Sequence, residues 1–345
     1  MISDLFRADD SRDRAKIREE AISRRDLKGL RVEKRKIGSL EVSIVGVGCN
    51  NFGARIDERR TEEVINAALD EGINFFDTAD MYANGKSEEL LGRFLHSRRS
   101  RVIIATKFGN DMPGQGRGAR PEYVKQAFDA SLKRLGTDYI DLYQQHVPDP
   151  DVPIAETLGT LDELVKAGKV REIGCSNFSA QQIRDARAAA AGRPLSATFV
   201  SVQNEYSLLH REPEEEVLGE CERQGIAFLP FFPLKSGLLT GKYRRGEPIP
   251  SDTRVAKYER YRKLLTEENL ENVEALIEYA ESRGHTILEL AISWLLAHRP
   301  VASVIAGASS AGQVRANVAA ANWNLKEDDL DEVDNVLRAG AAAKP

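Results

Sequence analysis

Cysteine and long apolar runs are both scarce in this chain of 345 residues, and each scarcity excludes a class of protein. Cys49, Cys175 and Cys221 are odd in number and widely spaced, so they do not build a disulfide framework and indicate a reducing compartment. No apolar stretch approaches the roughly 18 residues that a membrane span needs, and the charged N-terminus lacks the apolar core of a secretory signal. We therefore expect a cytoplasmic protein with no membrane partner.

Charge and ligand-binding motifs are equally unremarkable. The net charge of −5 gives no basic surface for nucleic acid, so no nucleic-acid partner is expected. The five histidines have no metal-ligand spacing with one another or with the cysteines, and no metal site is predicted. Gly46 and Gly48 resemble the start of a dinucleotide fingerprint, but the third glycine, Gly53, comes too late and the next helical pattern begins only near Thr61. A tight turn at a strand end explains these glycines better.

The first 36 residues differ from the rest in charge. They hold 12 basic and 8 acidic side chains with few apolar residues between them, whereas the remainder is net negative. Such a segment is typical of a solvated extension. An arm that contacts another subunit is the alternative, so an oligomer formed through this extension is a possible assembly.

After this extension, short apolar or β-branched runs alternate with longer segments of helical spacing. This alternation predicts βα units around a parallel sheet, and eight strands favour a closed (β/α)8 TIM barrel because closure leaves no exposed edge. The chain thus divides into a charged N-terminal extension, 1–36, and one barrel domain, 37–345, with a C-terminal helix. The predicted strands are 42–48, 73–77, 102–106, 139–145, 170–175, 199–203, 226–230 and 302–305. The segment 235–265 is too long for a simple βα loop, and long loops of this kind usually cover a ligand.

Polar residues collect where the predicted strands end. Asp77 ends the second strand and Tyr82 follows it, Lys107 ends the third strand, and His146 ends the fourth. In a barrel of this type, catalytic side chains lie at the C-terminal strand ends, so all four are expected to face one mouth.

These four residue types suit proton transfer to a carbonyl oxygen. A tyrosine titrates near ~10, and a neighbouring ammonium such as Lys107 favours its phenolate and lowers that pKa. Asp77 can keep a buried Lys107 charged, and His146 can orient the substrate oxygen or share in proton transfer. Each residue alone also fits a structural role, because an aspartate at a strand end often caps a helix and a lysine there often forms a salt bridge. The four together favour catalysis.

Several segments resemble the aldo-keto reductase family, including GINFFDTADMY, SLKRLGTDYIDLYQQH, GKVREIGCSNFS, SVQNEYSLL and SGLLTGKY, over residues of about 35–340. The bacterial members and those similar to potassium-channel β-subunits are the nearest in pattern. The resemblance implies Asp77, Tyr82, Lys107 and His146 as a catalytic tetrad, with Tyr82 as the general acid. It also implies a nicotinamide cofactor bound without a Rossmann domain, and an aldehyde or ketone substrate reduced to an alcohol.

The resemblance also carries the family's cofactor contacts onto this chain. Ser176, Asn177 and Gln203 match the residues that hold the carboxamide, and Phe231 lies where the family usually stacks a Tyr or Trp on the nicotinamide. Phe232 stands where a serine is common. The loop across the pyrophosphate is matched by Pro233, Leu234, Ser236, Gly237 and Lys242, with Arg254 beside it. The adenosine end is matched by Gly307, Ser309, Gln313 and Asn317.

The adenosine end departs from the usual family pattern but still favours NADPH. Many members place Lys and Arg where this chain has Gly307 and Gln313, so two phosphate-binding charges are missing. The segment 305–322 has no acidic residue to repel a 2′-phosphate and has one cation, Arg315. Ser309 or Ser310 is expected to cap the following helix, whose N-terminus suits an anion.

Two other functions fit parts of this pattern. Lys107 could form a Schiff base in an aldolase-like enzyme, which leaves the SNF motif, Gln203 and the long loop unexplained. A cofactor-binding partner protein that senses redox state with little turnover would keep the cofactor residues. The four strand-end residues favour the NADPH-dependent reductase.

Overall fold

Eight parallel strands form the centre of the computed structural model, which describes residues 32–192, 196–251 and 253–342. Their hydrogen-bonded order follows the chain, and the last of the eight strands pairs with the first. The predicted (β/α)8 TIM barrel is confirmed. Its strands are β3 (Val45–Gly48), β4 (Phe75–Asp77), β5 (Ile103–Phe108), β6 (Ile140–Gln145), β7 (Val170–Ser176), β8 (Phe199–Glu205), β9 (Ala227–Phe231) and β10 (Val304–Gly307).

The ring closes unevenly. Strands β10 and β3 pair in register over four residues, whereas β9 meets the chain before β10 through a parallel bridge between Phe228 and Val301. Two backbone bonds support this seam, from Phe228 N to Pro300 O at 2.7 Å and from Ala302 N to Phe228 O at 3.0 Å.

Helices surround the sheet, and their apolar faces pack on the outward side chains of the strands. Six of them overlap segments in which apolar residues at helical spacing predict a helix, namely 61–71, 88–95, 121–135, 155–168, 179–190 and 212–224. The helices of the described chain are α1 (Glu58–Asp70), α2 (Lys86–Leu95), α3 (Pro121–Leu135), α4 (Ile154–Lys166), α5 (Ala180–Ala191), α6 (Val217–Gln224), α7 (Arg254–Lys257), α8 (Glu259–Arg262), α9 (Glu267–Ser282), α10 (Ile287–Ala297), α11 (Ala311–Ala319) and α12 (Glu327–Ala342). Within the described ranges, no helix is both long and apolar enough to cross a membrane.

An antiparallel hairpin, β1 (Lys34–Ile37) and β2 (Leu40–Ser43), closes the N-terminal end of the barrel. Its Ile37, Leu40 and Val42 are fully buried in one cluster with Phe75 and Leu229 of the barrel interior. The predicted first strand, 42–48, is therefore wrong in one respect, because its first residues belong to this hairpin and only Val45–Gly48 joins the barrel. Most of the predicted extension, residues 1–31, lies outside the described residues, and β1 begins within its last residues.

The inward side chains change from apolar to polar toward the C-terminal end of the barrel. Along β5, Ile103 and Ala105 are followed on the same face by Lys107, since side chains on one face of a strand recur every second residue. Along β4, Asp77 follows Phe75 in the same way. The two-residue period of the strands thus places the charged side chains of Lys107 and Asp77 above an apolar layer of the barrel interior.

Candidate active site

Asp77 and Lys107 form a fully enclosed ion pair at the top of the barrel. The Lys107 Nζ lies 2.7 Å from Asp77 Oδ2 and donates a second hydrogen bond to the carbonyl of Thr78 at 2.8 Å. Both side chains are buried, with 0% of Lys107 exposed. Burial is the largest single influence and would lower the pKa of Lys107, but the charge and hydrogen bond of the Asp77 carboxylate, together with the neighbouring Tyr82, outweigh burial and the pKa is raised. Lys107 is therefore an ammonium ion.

Tyr82 lies beside this pair, at the start of a 3-10 turn, Tyr82–Gly85. The preceding loop is fixed to β5 by backbone bonds from Thr78 N to Ala105 O and from Asp80 N to Lys107 O, at 2.8 and 3.1 Å. The Lys107 Nζ stands 5.2 Å from the centre of the Tyr82 ring. The loop therefore presents the phenol next to a buried positive charge.

The pKa of Tyr82 moves in the opposite direction to the one expected from the sequence. Burial raises it above 10, and the lowering influence of the Lys107 ammonium only partly offsets burial. The Asp77 carboxylate also raises it. Tyr82 therefore keeps its proton at neutral pH, and Lys107 moderates a pKa that burial would otherwise raise further.

His146 faces Tyr82 across the same space. The two rings meet edge to face with centres 5.9 Å apart, and His146 continues the β6 ladder through a bond from its N to Phe108 O at 2.8 Å. Burial, together with the Lys107 charge, lowers the pKa of His146 to about 3. The imidazole is neutral, and its Nδ1 has no hydrogen-bond partner among the described residues.

A cleft of about 750 Å³ opens over these residues and runs across the mouth of the barrel. This volume suits a small-molecule or cofactor site. The structure brings nearly all of the residues predicted from the sequence to its wall, namely Asp77, Tyr82, His146, Ser176, Asn177, Gln203, Phe231, Pro233, Leu234, Ser236, Gly237, Lys242, Gly307, Ser309, Gln313 and Asn317. Lys107 lies behind Asp77 and Tyr82 and is not part of the lining.

Ser176, Asn177 and Gln203 are tied together at the ends of β7 and β8. Ser176 Oγ donates to Gln203 O at 2.8 Å, and Asn177 Nδ2 donates to His146 O at 3.0 Å. The side chain of Gln203 was expected to hold the carboxamide of the cofactor. In the structure its Nε2 donates instead to Asp77 Oδ1 at 2.9 Å. Gln203 thus supports the Asp77 carboxylate as well as lining the cleft.

Backbone strain is concentrated around the cleft. In the described chain, the non-glycine residues with left-handed φ are Ala83, Asn84, Asn177, Phe232, Lys235 and Ser236. All of them follow the C-terminal ends of barrel strands. Such conformations cost about 1–3 kcal/mol each and persist where the surrounding structure enforces them, which is common at functional sites.

The other end of the cleft is built on β10 and α11. Ser310 caps α11 by accepting a hydrogen bond from Gln313 N, as one of the two predicted serines was expected to do. The Gln313 side chain turns back to accept from Ser309 N at 2.8 Å. Arg315 is exposed on α11 and lies outside the lining, and the side chain of Arg254 lies outside the described part of the molecule.

Sequence reasoning missed several residues of this site. Gln144 Nε2 donates to Asp77 Oδ1 at 3.3 Å, and Asn50, Thr240 and Thr253 line the cleft. Gln144 falls two residues before His146 on β6, so the period of the strand was a signal for it. Asn50 follows β3 directly and could have been found by the same strand-end rule that found Asp77.

The family model for the aldo/keto reductase family matches residues 44–338, which include all eight barrel strands and the residues of the cleft. The chain belongs to the aldo/keto reductase family. Membership supports the general interpretation of the protein as an oxidoreductase.

Named relatives of this aldo/keto reductase are similar over most of their length. It is 37% identical over 307 residues to the aldo-keto reductase YhdN of Bacillus subtilis, covering 86% of this chain and 91% of the relative. It is 36% identical over 312 residues to a probable voltage-gated potassium channel subunit beta of Arabidopsis thaliana, with 87% and 94% covered. It is 35% identical over 327 residues to the aldo-keto reductase yakc [NADP(+)] of Schizosaccharomyces pombe, with 91% and 95% covered.

The fold of this aldo/keto reductase is also that of a solved relative. The structure of a glycerol dehydrogenase from Gluconobacter oxydans aligns with a TM-score of 0.77 at 30% identity, covering 92% of this chain and 98% of that one.

Proposed function

We propose that this protein is an NADPH-dependent reductase that converts an aldehyde or ketone to an alcohol, with Tyr82 as the proton donor. The observation that carries the proposal is the pairing of a protonated phenol at the cleft wall with an enclosed ammonium behind it. A proton donor of this kind can give up its proton as negative charge develops on a carbonyl oxygen, and the adjacent charge stabilises the phenolate that remains.

Lys107 and His146 are poorer proton donors than Tyr82. Lys107 is enclosed behind Asp77 and Tyr82, and its ammonium is already engaged by the Asp77 carboxylate and the Thr78 carbonyl. His146 reaches the cleft, but it is neutral at every physiological pH because its pKa is about 3. A neutral imidazole can donate a hydrogen bond that orients a carbonyl oxygen. We therefore assign proton transfer to Tyr82 and orientation to His146.

The cleft fits a nicotinamide dinucleotide in shape and chemistry. It extends without interruption from Tyr82 to the capped N-terminus of α11, with aromatic rings at one end and neutral hydrogen-bonding groups at the other. Ser176 and Asn177 would hold the carboxamide, Phe231 would stack on the nicotinamide ring, and Ser236, Gly237 and Lys242 would border the pyrophosphate. When bound, the cofactor supplies the hydride. The relative in Schizosaccharomyces pombe is named as an NADP(+) enzyme, which favours the same cofactor here.

Two alternative functions can be compared with the reductase. A Schiff-base mechanism needs a neutral amine, and the raised pKa of Lys107 opposes it. A redox-sensing partner protein is favoured by the similarity to a probable channel subunit. A panel of aliphatic and aromatic aldehydes and ketones, followed by the loss of NADPH absorbance with the purified protein, separates that function from the reductase. Turnover of any member supports the reductase, and cofactor binding without turnover supports the partner protein.

We expect kcat/KM to be higher with NADPH than with NADH. The ratio should correspond to roughly 1–3 kcal/mol of free energy, the scale of charge-assisted hydrogen bonds. The reason is that 305–322 offers neutral donors, a helix N-terminus and no carboxylate to a 2′-phosphate. Arg315→Ala should reduce the preference by roughly two- to fivefold, since an exposed charge is screened by solvent. Steady-state kinetics with both cofactors checks this. Equal kcat/KM values, or a preference for NADH, would show that the adenosine end is wrongly assigned.

Gly237→Ala should weaken NADPH binding about tenfold or more, because a Cβ at this position would lie 2.9 Å from the Lys242 Nζ and displace it. Gly237 also has a φ of 102°, which strains any other residue. Gly168→Ala is the matched control, with a φ of 70° but open space around its Cβ. It should cost about 1–2 kcal/mol of stability without changing the Kd. Cofactor titration of both variants tests this, and equal Kd values for the two would contradict it.

A further inference from the structure

The loop that follows β9, residues 232–241, is the most strained part of the described chain. Phe232, Lys235 and Ser236 have left-handed φ values of 50°, 41° and 57°. The second half of this β9 loop is anchored by Leu238 and Leu239, which are fully buried. Thr240 Oγ1 also donates to Gly237 O at 2.7 Å. The first half is anchored less deeply, because Phe232 is 36% exposed and Leu234 is only partly buried against the core, although Pro233 is buried.

An ion pair links Lys235, in this first half, to Glu205. The Lys235 Nζ lies 2.6 Å from Oε1 of Glu205, the last residue of β8. The two side chains are only 15% and 27% exposed, so solvent screens the pair less than an open surface pair. Leu234 and Ser236 line the cleft, whereas Lys235 and Glu205 do not. The pair therefore lies outside the wall of the cleft.

Glu205 has a fixed backbone position and a second basic neighbour. Glu205 pairs in register with Phe231 at the end of β9, so its position is fixed by the sheet. His210 is the other basic group beside it, with Nδ1 4.0 Å from Glu205 Oε1. A carboxylate fixed on a strand thus holds a lysine whose own backbone is strained.

We propose that Glu205 and Lys235 are positioning residues that hold the β9 loop in its cofactor-binding conformation without touching the cofactor. This inference rests on the proposed function for the identity of the ligand, NADPH. A loop with three left-handed non-glycine residues relaxes unless other contacts enforce it, and the ion pair ties the first half of this loop to a fixed strand in addition to the backbone bonds within the loop. The binding site is therefore organised before the cofactor arrives, which reduces the entropy lost on binding.

The test uses three variants of the full chain and three measurements. Glu205→Gln removes the charge and keeps the shape, the double variant Glu205→Lys with Lys235→Glu reverses the pair, and Glu163→Gln breaks a 2.7 Å pair with Lys125 on the outer helices as the matched control. NADPH affinity is measured by titration, and amide hydrogen exchange of residues 232–241 is measured in protein without cofactor. Turnover at saturating NADPH is measured alongside.

Glu205→Gln should raise the Kd about tenfold, leave kcat within about twofold, and speed exchange in the β9 loop about tenfold or more. The reversed pair should restore the Kd to within about threefold of wild type. Glu163→Gln should change neither the Kd nor the exchange rate of the β9 loop. Wild-type Kd and exchange in Glu205→Gln, or no rescue by the reversed pair, would overturn the proposal. If the wild-type protein bound no NADPH, the proposed function would fail. The exchange measurement would still decide whether the pair fixes the loop.

Discussion

Tyr82→Phe is expected to lower kcat for carbonyl reduction by about 10²–10⁴-fold while leaving the Kd for NADPH nearly unchanged. The phenylalanine ring fills the same space beside Lys107 and His146, and only the proton that the reaction consumes is lost. The basic groups next to Tyr82 are a neutral His146 and an enclosed Lys107, and neither replaces the missing acid.

Tyr143→Phe is the matched control for this variant. Tyr143 is fully buried, and its hydroxyl has no hydrogen-bond partner among the described residues and does not line the cleft. Its removal should therefore leave kcat within about twofold. If Tyr82→Phe kept more than about a third of the wild-type kcat, Tyr82 would not be the general acid.

Lys107→Met should lower kcat by about 10²-fold or more, because the phenolate of Tyr82 loses the positive charge that stabilises it. The same loss raises the pKa of Tyr82 further, so the fall in activity at alkaline pH should move to higher pH. The variant also leaves Asp77 as an unpaired buried charge, which costs about 3–5 kcal/mol of stability. Activity and stability must therefore be separated.

The double variant Lys107→Met with Asp77→Asn makes that separation. It removes both buried charges, so its melting temperature should recover toward wild type. Its kcat should stay low, because the ammonium beside Tyr82 is still missing. Thermal unfolding, kcat and the pH profile are measured for the wild type and both variants. Full activity in Lys107→Met with an unmoved profile would exclude the tetrad, and recovery of kcat in the double variant would mean that Lys107 acts through folding alone.

The sequence predicted the barrel well because its strands carry short apolar runs and its helices carry a clear 3.6-residue period. It predicted the strand-end residues of the site for the same reason, since the position of Asp77, Lys107 and His146 follows from where each strand stops. The N-terminal hairpin was missed because only Ile44 separates β2 from β3, so that 40–48 form one stretch rich in Val and Ile. No local sequence pattern marks the point at which the hairpin ends and the first barrel strand begins.

The electrostatics of the site were harder to predict than its composition. A lowered pKa for Tyr82 follows from the neighbouring lysine, but burial opposes it and prevails, and burial depends on the packing of the whole mouth. The bond from Gln203 to Asp77 joins residues 126 positions apart, on strands whose facing side chains only the closed ring brings together. Such contacts are set by tertiary geometry, which composition and periodicity do not contain.

The six strained residues around the cleft have a consequence for improving this protein in the laboratory. Selection for heat resistance alone would favour glycine at positions such as Ala83 and Ser236, where it relieves a left-handed backbone. The same substitutions would loosen the loops that carry Tyr82 and border the cleft. Thermostable descendants obtained this way would tend to be poorer catalysts, so the safer positions for stabilisation lie at the hairpin end of the barrel.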